Sequence, residues 1–230
     1  MLSFMGYTQN AEDVFDSFIN AKKSDIEYQV NINYALYNGK SGKTAYENYN
    51  GVQAKYNGVF YQKLKLTEFI LGEDFLVKLN PEERAMLVGY SSNTIITNPN
   101  HIDNTEILRT FENKTLEDLK DQWKLVLSQP KTSSLLEFST VELYIKKDSY
   151  NLNKQVIFYS YIADFSVYSN HKGETPQKGN PRLDIIFTDY QDTISLEKEK
   201  FRRSNYFIYK NDKIFPSKNY EDYEIIFANQ

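Results

Sequence analysis

One stretch of strict alternation constrains the fold of this chain more than any other. Between residues 26 and 37, apolar side chains occupy the even positions and polar side chains occupy most of the odd ones. The apolar set is Ile26, Tyr28, Val30, Ile32, Tyr34 and Leu36. Because successive side chains of a strand point to opposite faces, this pattern predicts a long strand with one apolar and one polar face. A slip of one residue would turn every apolar side chain towards water, so the register must be strongly specified.

The residues after this stretch predict further strands of the same sheet. Asn57-Gly58 is a strong hairpin signal, and short apolar runs separated by turn residues continue from it. The strands predicted in this part are 44–55, 59–64, 67–71, 75–79 and 84–90, followed by a polar loop over 91–104. Later strands are predicted at 141–145, 157–167, 183–190 and 223–227, with a hairpin at 211–212 and a loop over 169–182. Regular spacing of this kind is typical of an antiparallel sheet.

Three segments have helical periodicity. The first helix, capped by Asn10, is predicted to run from Ala11 to Lys23. A short second helix ends at Phe111, and a third is capped by Thr115. The third helix would place on one face Leu116, Leu119, Trp123, Val126 and Leu127. Each helix is amphipathic and needs a surface to cover, which the apolar side of the sheet offers.

Composition narrows the function classes. The chain has 230 residues and a net charge of −4, and its lysines alternate with acids, which does not favour nucleic acid or an anionic membrane surface as a partner. It contains no cysteine, which excludes thiol chemistry and disulfides. The two histidines, His101 and His171, lie in polar loops, and no motif for phosphate or metal binding is present. We therefore expect no enzyme activity, no catalytic residues, no cofactor and no metal; a hydrolase using scattered carboxylates is the remaining enzymatic alternative.

The ends and the domain count follow from length and local composition. Residues 1–9 are either the tail of an export signal peptide or an ordinary disordered terminus. Residues 10–230 show no composition break and are expected to form a single domain. No run is long enough for a membrane-spanning helix, so the mature domain is expected to be soluble.

Two interpretations of how the sheet and helices pack are compatible with the sequence. In one, sheet and helices pack into a solid core, and the protein is a non-enzymatic interaction module of the cell envelope. In the other, sheet and helices leave a cavity for an apolar ligand, as curved antiparallel sheets of this size commonly do. Periodicity alone does not separate these accounts.

The order of these parts resembles the LolA-like outer-membrane lipoprotein carrier superfamily. The local phrases that carry the resemblance are Tyr37–Lys43, Thr67–Ile70, Pro181–Leu183 and Pro216–Tyr223. The resemblance implies an α+β, mostly antiparallel fold: a strongly curved, unclosed β-barrel with helices covering its concave face. It further implies a periplasmic, exported and monomeric carrier of lipid or lipoprotein acyl chains. Such a carrier has no catalytic residues, takes its cargo from a membrane transporter and passes it to a receptor.

A set of apolar and aromatic residues is the candidate lining of the cavity. These ligand-binding candidates are Tyr28, Val30, Ile32, Tyr34, Phe69, Phe75, Trp123, Tyr159 and Tyr161. Tyrosine suits such a lining because it presents an apolar ring with one polar tip.

Overall fold

The computed structural model describes residues 10–24, 27–90, 108–129, 137–168, 177–211 and 213–227, without the side chains of Lys23 and Ser24. In chain order the elements are α1 (Ala11–Ser24), β1 (Tyr28–Asn38), β2 (Glu47–Tyr56), β3 (Val59–Leu64), β4 (Thr67–Leu71), β5 (Leu76–Asn80), β6 (Ala85–Gly89), β7 (Asn113–Asp118), β8 (Gln122–Ser128), β9 (Phe138–Lys146), β10 (Leu152–Tyr159), β11 (Ala163–Asp164), β12 (Lys178–Gly179), β13 (Pro181–Gln191), β14 (Phe207–Lys210), β15 (Lys213–Pro216) and β16 (Glu224–Phe227). Short 3₁₀ helices occupy Phe165–Tyr168, Lys198–Phe201, Arg203–Asn205 and Lys218–Tyr220.

The chain forms two compact units. The helix-bearing unit contains, among the described residues, 10–24, 35–47, 108–129, 137–168 and 177–186. The meander unit contains 27–34, 48–90, 187–211 and 213–227. Strands β1 and β13 are each divided between the two units. The sequence-based interpretation of 10–230 as a single domain stays a prediction.

Helix α1 begins where the sequence predicts it. The Asn10 side-chain oxygen accepts a hydrogen bond from the Asp13 backbone N–H at 2.9 Å, which satisfies one of the free donors at the helix start. The apolar stripe of α1 is buried: Val14, Phe15, Phe18 and Ile19 are each at most 1% exposed. The helix packs on β7 and β8, where the Lys114 ammonium lies 5.3 Å from the centre of the Phe15 ring.

The sheet of the helix-bearing unit has the strand order β13-β10-β9-β8-β7, with antiparallel neighbours throughout. Apolar side chains meet across one face, where Leu125 of β8 lies opposite Leu143 of β9. The other face is mostly polar, and on it Lys124 forms an ion pair with Glu142 at 3.1 Å. The sheet of this unit therefore has one mostly polar face, and α1 packs on two of its strands, β7 and β8.

The predicted third helix is wrong. Residues 113–128 form the β7–β8 hairpin, in which Leu119 N–H donates to the Gln122 carbonyl at 3.0 Å across the turn. Trp123, Leu125 and Leu127 are buried, whereas Val126 is only partly buried. The true period is two, and apolar residues on both faces of the hairpin imitate a helical stripe. Pairing with β9 decides the conformation, because it buries the alternate set.

The predicted strand over 157–167 is too long. Strand β10 ends at Tyr159, and the Asn180 side-chain amide then donates to the carbonyls of Ser160 (3.2 Å) and Tyr161 (2.9 Å). The chain continues through β11 into a 3₁₀ helix, where the Asp164 carboxylate accepts the Ser166 backbone N–H at 2.9 Å. Side-chain caps at a turn therefore override an alternation that continues in sequence beyond the strand.

The sheet of the meander unit has the order β16-β6-β5-β4-β3-β2-β1. Strands β3 and β4 have the predicted boundaries, and β2 through β6 pair antiparallel in succession. The terminal strand β16 pairs parallel to β6, with Ile225 opposite Met86. Between β2 and β3, Asn57 has a φ of 48° and Gly58 a φ of 75°, the two left-handed positions of a type I′ hairpin turn.

The fold is thus a mostly antiparallel sheet with one helix of several turns, α1, among the described residues. Within these residues, β7 pairs only with β8 and β16 only with β6, so the sheet is unclosed. The expected set of covering helices is reduced to α1 in this part of the chain. The predicted loop at 91–104, and most of the short helix ending at Phe111, lie outside the described residues, although Leu108 and Arg109 are helical.

Candidate functional site

The alternating stripe of β1 is buried along the meander unit. Tyr28, Val30, Ile32 and Tyr34 are each at most 4% exposed. The opposite side of β1 is polar: the Asn33 side-chain amide donates to side-chain oxygens of two asparagines on β2, at 2.7 and 2.8 Å. The strand therefore separates an apolar side from a hydrogen-bonded side, as its sequence predicts.

Gly51 of β2 identifies which neighbours share the face of this stripe. A Cβ added at Gly51 would lie 3.2 Å from Ile32 Cγ1 and 3.2 Å from Leu64 Cδ1, so these side chains lie on one face. It would also come within 2.3 Å of the Lys63 carbonyl oxygen, so only glycine permits this close approach. Two residues after Gly51 on β2, Gln53 lies opposite Gln62 of β3. Gln62 lies opposite Phe69 of β4. Phe69 therefore shares the face of the β1 stripe.

Two further buried apolar residues of this face were missed by sequence reasoning. Phe60 and Leu76 are buried, at 3% and 5% exposure, and each lies opposite Leu71 of β4 in the ladder. The alternation of Phe60, Gln62 and Leu64 along β3 was the available signal. We call the residues Tyr28, Val30, Ile32, Tyr34, Phe60, Phe69 and Leu76 the stripe face.

Phe75, also a predicted lining residue, lies elsewhere. Its ring packs edge-on against Phe207 with a centroid distance of 6.4 Å, within the core cluster on the other face of the sheet. The buried members of that cluster are Ala54, Tyr61, Ile70, Phe75, Val77, Leu79, Met86, Val88, Phe201, Tyr206 and Phe207. Residues after β13 thus cover this second face, and Phe75 is separated from the stripe face by the sheet.

The remaining predicted residues belong to the helix-bearing unit. Trp123 is 7% exposed, and its ring lies 5.3 Å from the ring of Tyr150. Tyr159 and Tyr161 have ring centres 5.3 Å apart, but Tyr161 is 47% exposed. Burial, with a smaller contribution from Tyr161, raises the pKa of Tyr159 to about 12. The structure therefore assembles five of the nine predicted residues on the stripe face.

A buried charge cluster lies on the second face of the meander unit. Glu68 is 7% exposed, and its two carboxylate oxygens lie 3.3 Å from the Lys63 ammonium and 3.6 Å from the Lys200 ammonium. Burial, and next the negative charge of Glu68, raise the pKa of both Tyr61 and Tyr206 far above its ordinary value. The Tyr206 hydroxyl donates to the Lys200 carbonyl at 2.7 Å. These contacts fasten the segment after β13 onto the sheet.

The two cavities described in the structure lie away from the predicted lining. A cavity of about 530 Å³ in the helix-bearing unit is lined by Leu119, Lys120, Asp121, Gln122, Lys146, Asp148 and Asn153. A second of about 560 Å³ lies on the β14–β15 hairpin and is lined by Ile208, Lys210, Asn211, Lys213 and Phe215. Neither contains a residue of the stripe face.

The described segments contain neither a cluster of metal-binding side chains nor a helix suited to cross a membrane. Three or more acidic or histidine side chains do not come together there as a metal site. Within the same segments, no helix combines the length and the apolar character that crossing a bilayer requires. His101 and His171 lie outside the described residues.

Known structures resemble this fold, whereas no protein-family model and no curated protein matches the sequence. An uncharacterized conserved protein from Thermus thermophilus is similar over 96% of this chain and 100% of its own length, with 12% identity and a TM-score of 0.52. A LolA superfamily protein from Nitrosomonas europaea has 12% identity and a TM-score of 0.37, covering 85% of this chain and 99% of its own. LprF from Mycobacterium bovis has 13% identity and a TM-score of 0.36, covering 82% of this chain and 98% of its own. At 12% identity, the similarity to the Thermus thermophilus protein concerns the fold alone.

Proposed function

We propose that this protein is a non-enzymatic carrier that shields lipid acyl chains, of a lipoprotein or another lipid, in the cell envelope. The observation that carries the proposal is the stripe face, a set of aliphatic and aromatic side chains on β1, β3, β4 and β5 of one unit. Between β1 and β3, strand β2 contributes Gly51 and Gln53 to the same face. The sequence resemblance to the LolA-like superfamily supports the same reading.

The physics of such cargo requires a continuous apolar surface. Each methylene removed from water contributes about 0.8 kcal/mol, so a chain of about 16 carbons needs shielding worth on the order of 12 kcal/mol. One isolated pocket residue supplies only a small part of this. Four apolar side chains in line on β1, together with Phe60, Phe69 and Leu76 on the same face of the sheet, contribute apolar surface for such a chain.

Access to this surface requires a movement. Tyr28, Val30, Ile32 and Tyr34 are at most 4% exposed, so a ligand reaches them only after they are uncovered. A carrier that must also release its cargo benefits from such an equilibrium between covered and uncovered states. The carrier would work in the periplasm as an exported monomer, receiving cargo from a membrane transporter and passing it to a receptor.

The test is a binding titration of delipidated protein with a fluorescent fatty acyl probe. Ile32→Ala removes methylenes from the stripe face and should weaken probe binding about threefold to tenfold. Ile70→Ala is the matched control, because Ile70 is equally buried but lies in the core cluster on the other face. Both variants lose similar stability, but only the first should lose affinity. The absence of saturable binding, or an equal loss of affinity in both variants, would refute the proposal.

A second candidate is a protein-interaction module of the envelope with a solid core. Both faces of the meander unit's sheet carry buried side chains, and the two cavities described lie elsewhere. Purification from the native envelope followed by mass spectrometry discriminates the two functions. A carrier brings down lipid or several lipoproteins, whereas an interaction module brings down one defined protein.

A further inference from the structure

The β14–β15 hairpin presents two different faces. Cross-strand pairs place Phe207 with Pro216 and Tyr209 with Ile214 on one face. Phe207 is 1% exposed, and Ile214 packs against the core cluster of the meander unit. One face of the hairpin is therefore fixed to the core.

The outer face combines an apolar pair with a basic tip. Ile208 lies opposite Phe215, and they are 46% and 42% exposed. Lys210 lies opposite Lys213 on the same face, next to the turn, and both lysines are exposed. The same side chains, with Asn211, line the open cavity of about 560 Å³. The described residues of the hairpin include no acid; the acid of the turn in the sequence, Asp212, lies outside them.

The base of the hairpin is held in place. Ser217 backbone N–H donates to the Tyr206 carbonyl at 2.9 Å, directly after β15. The Tyr209 ring lies 5.6 Å from that of Phe207 and 5.3 Å from the Arg203 guanidinium. The outer face is therefore presented without any rearrangement of the hairpin.

We propose that the outer face of the β14–β15 hairpin docks the protein on the surface of an anionic phospholipid bilayer. Ile208 and Phe215 enter the boundary between head groups and acyl chains, while Lys210 and Lys213 remain at the level of the lipid phosphates. Ile208 and the aromatic Phe215 suit the apolar side of this boundary, and the neighbouring lysines suit its anionic side. The net charge of −4 does not favour such a surface, but charges farther away than about 8 Å are screened at physiological salt, so the local charge matters most. At the tip of the hairpin, the two lysines outnumber the one acid of the turn sequence, Asp212. The proposal goes beyond acyl-chain binding and does not depend on it.

The test is sedimentation of the full chain with vesicles of phosphatidylcholine, with or without phosphatidylglycerol. We expect binding to the anionic vesicles that weakens as salt rises from about 0.1 M to about 1 M. The double variant Lys210→Gln with Lys213→Gln should lose roughly 25-fold in partitioning, about fivefold for each lysine, together with the salt dependence. Ile208→Ser with Phe215→Ser should reduce binding at every salt concentration.

Matched controls use the same chemical changes elsewhere. Lys43→Gln with Lys120→Gln removes two other exposed lysines, and Ile226→Ser with Phe227→Ser removes another exposed apolar pair. These controls should bind vesicles as the original chain does. A chain that does not bind anionic vesicles, or hairpin variants that bind as tightly as the controls, would overturn the proposal.

A second measurement avoids dependence on folding of the multiple variants. Because the chain has no cysteine, a polarity-sensitive dye can be attached to a single Ile208→Cys variant. Its emission should shift to the blue with anionic vesicles, whereas the dye on Val167→Cys, at a position 76% exposed in the other unit, should not respond. An equal response at both positions would contradict docking through the hairpin. Binding of the soluble acyl probe should be unchanged in all hairpin variants, so this test and the test of acyl binding fail independently.

Discussion

Glu68 shows how a single residue can couple a sheet to a loop segment. Its carboxylate lies between Lys63 of the neighbouring strand and Lys200 of the 3₁₀ helix, with side-chain exposures of 10%, 42% and 25%. Removal of one partner from a buried ion pair leaves the other charge desolvated, which costs more than the pair itself contributes. The cluster is therefore more sensitive to change than an exposed pair of similar geometry.

We predict that Glu68→Gln lowers the free energy of unfolding by about 1–3 kcal/mol, measured by urea denaturation. Asp222→Asn is the control, because the ion pair of Asp222 with Arg84 at 3.1 Å is 54% and 69% exposed. Its loss should change the free energy of unfolding by less than about 0.5 kcal/mol. Equal effects of the two substitutions would show that Glu68 does not fasten the segment.

At the scale of elements, the β7–β8 segment can be compared with two interpretations of its sequence, a helix and a β-hairpin. The helical reading places Val126 on the packed face and Leu125 away from it. In the structure Leu125 is fully buried opposite Leu143, and Val126 lies on the other face opposite Glu142. The two adjacent positions therefore have opposite environments.

We predict that Leu125→Ala lowers the free energy of unfolding by about 2–4 kcal/mol, because it leaves a cavity in the packed face. Val126→Ala, the adjacent control, should cost less than about 1 kcal/mol, since its side chain is only partly buried. Urea denaturation of both variants measures the difference. A larger loss for Val126→Ala would support the helical reading instead.

At the scale of the whole molecule, the proposed function requires the stripe face to be covered and uncovered in turn. If uncovering precedes binding, the observed rate of acyl probe binding should rise with probe concentration and then reach a plateau at the rate of uncovering. Stopped-flow fluorescence measures this dependence. A rate that increases linearly to the highest probe concentration would show that the binding surface is already open.

Much of the strand structure and one helix could be predicted from local sequence. The boundaries of β3 and β4, the turn at Asn57-Gly58 and the cap of α1 at Asn10 all follow from interactions between neighbouring residues. Of the candidate site, the β1 stripe was visible for the same reason, because alternation at period two is a local property. Whether its members bind acyl chains remains a prediction.

The sequence by itself determined where side chains alternate and where the chain turns. It also excluded thiol chemistry and disulfides, because the chain has no cysteine. Only the tertiary structure decided that 113–128 is a hairpin, that β16 pairs parallel to β6, and that Phe75 and Phe69 lie on opposite faces. It also decided that Ile208 and Phe215 share an exposed face with two lysines. The physical reason is that pairing partners and the burial of each face depend on contacts between residues distant in the chain, which local periodicity does not encode.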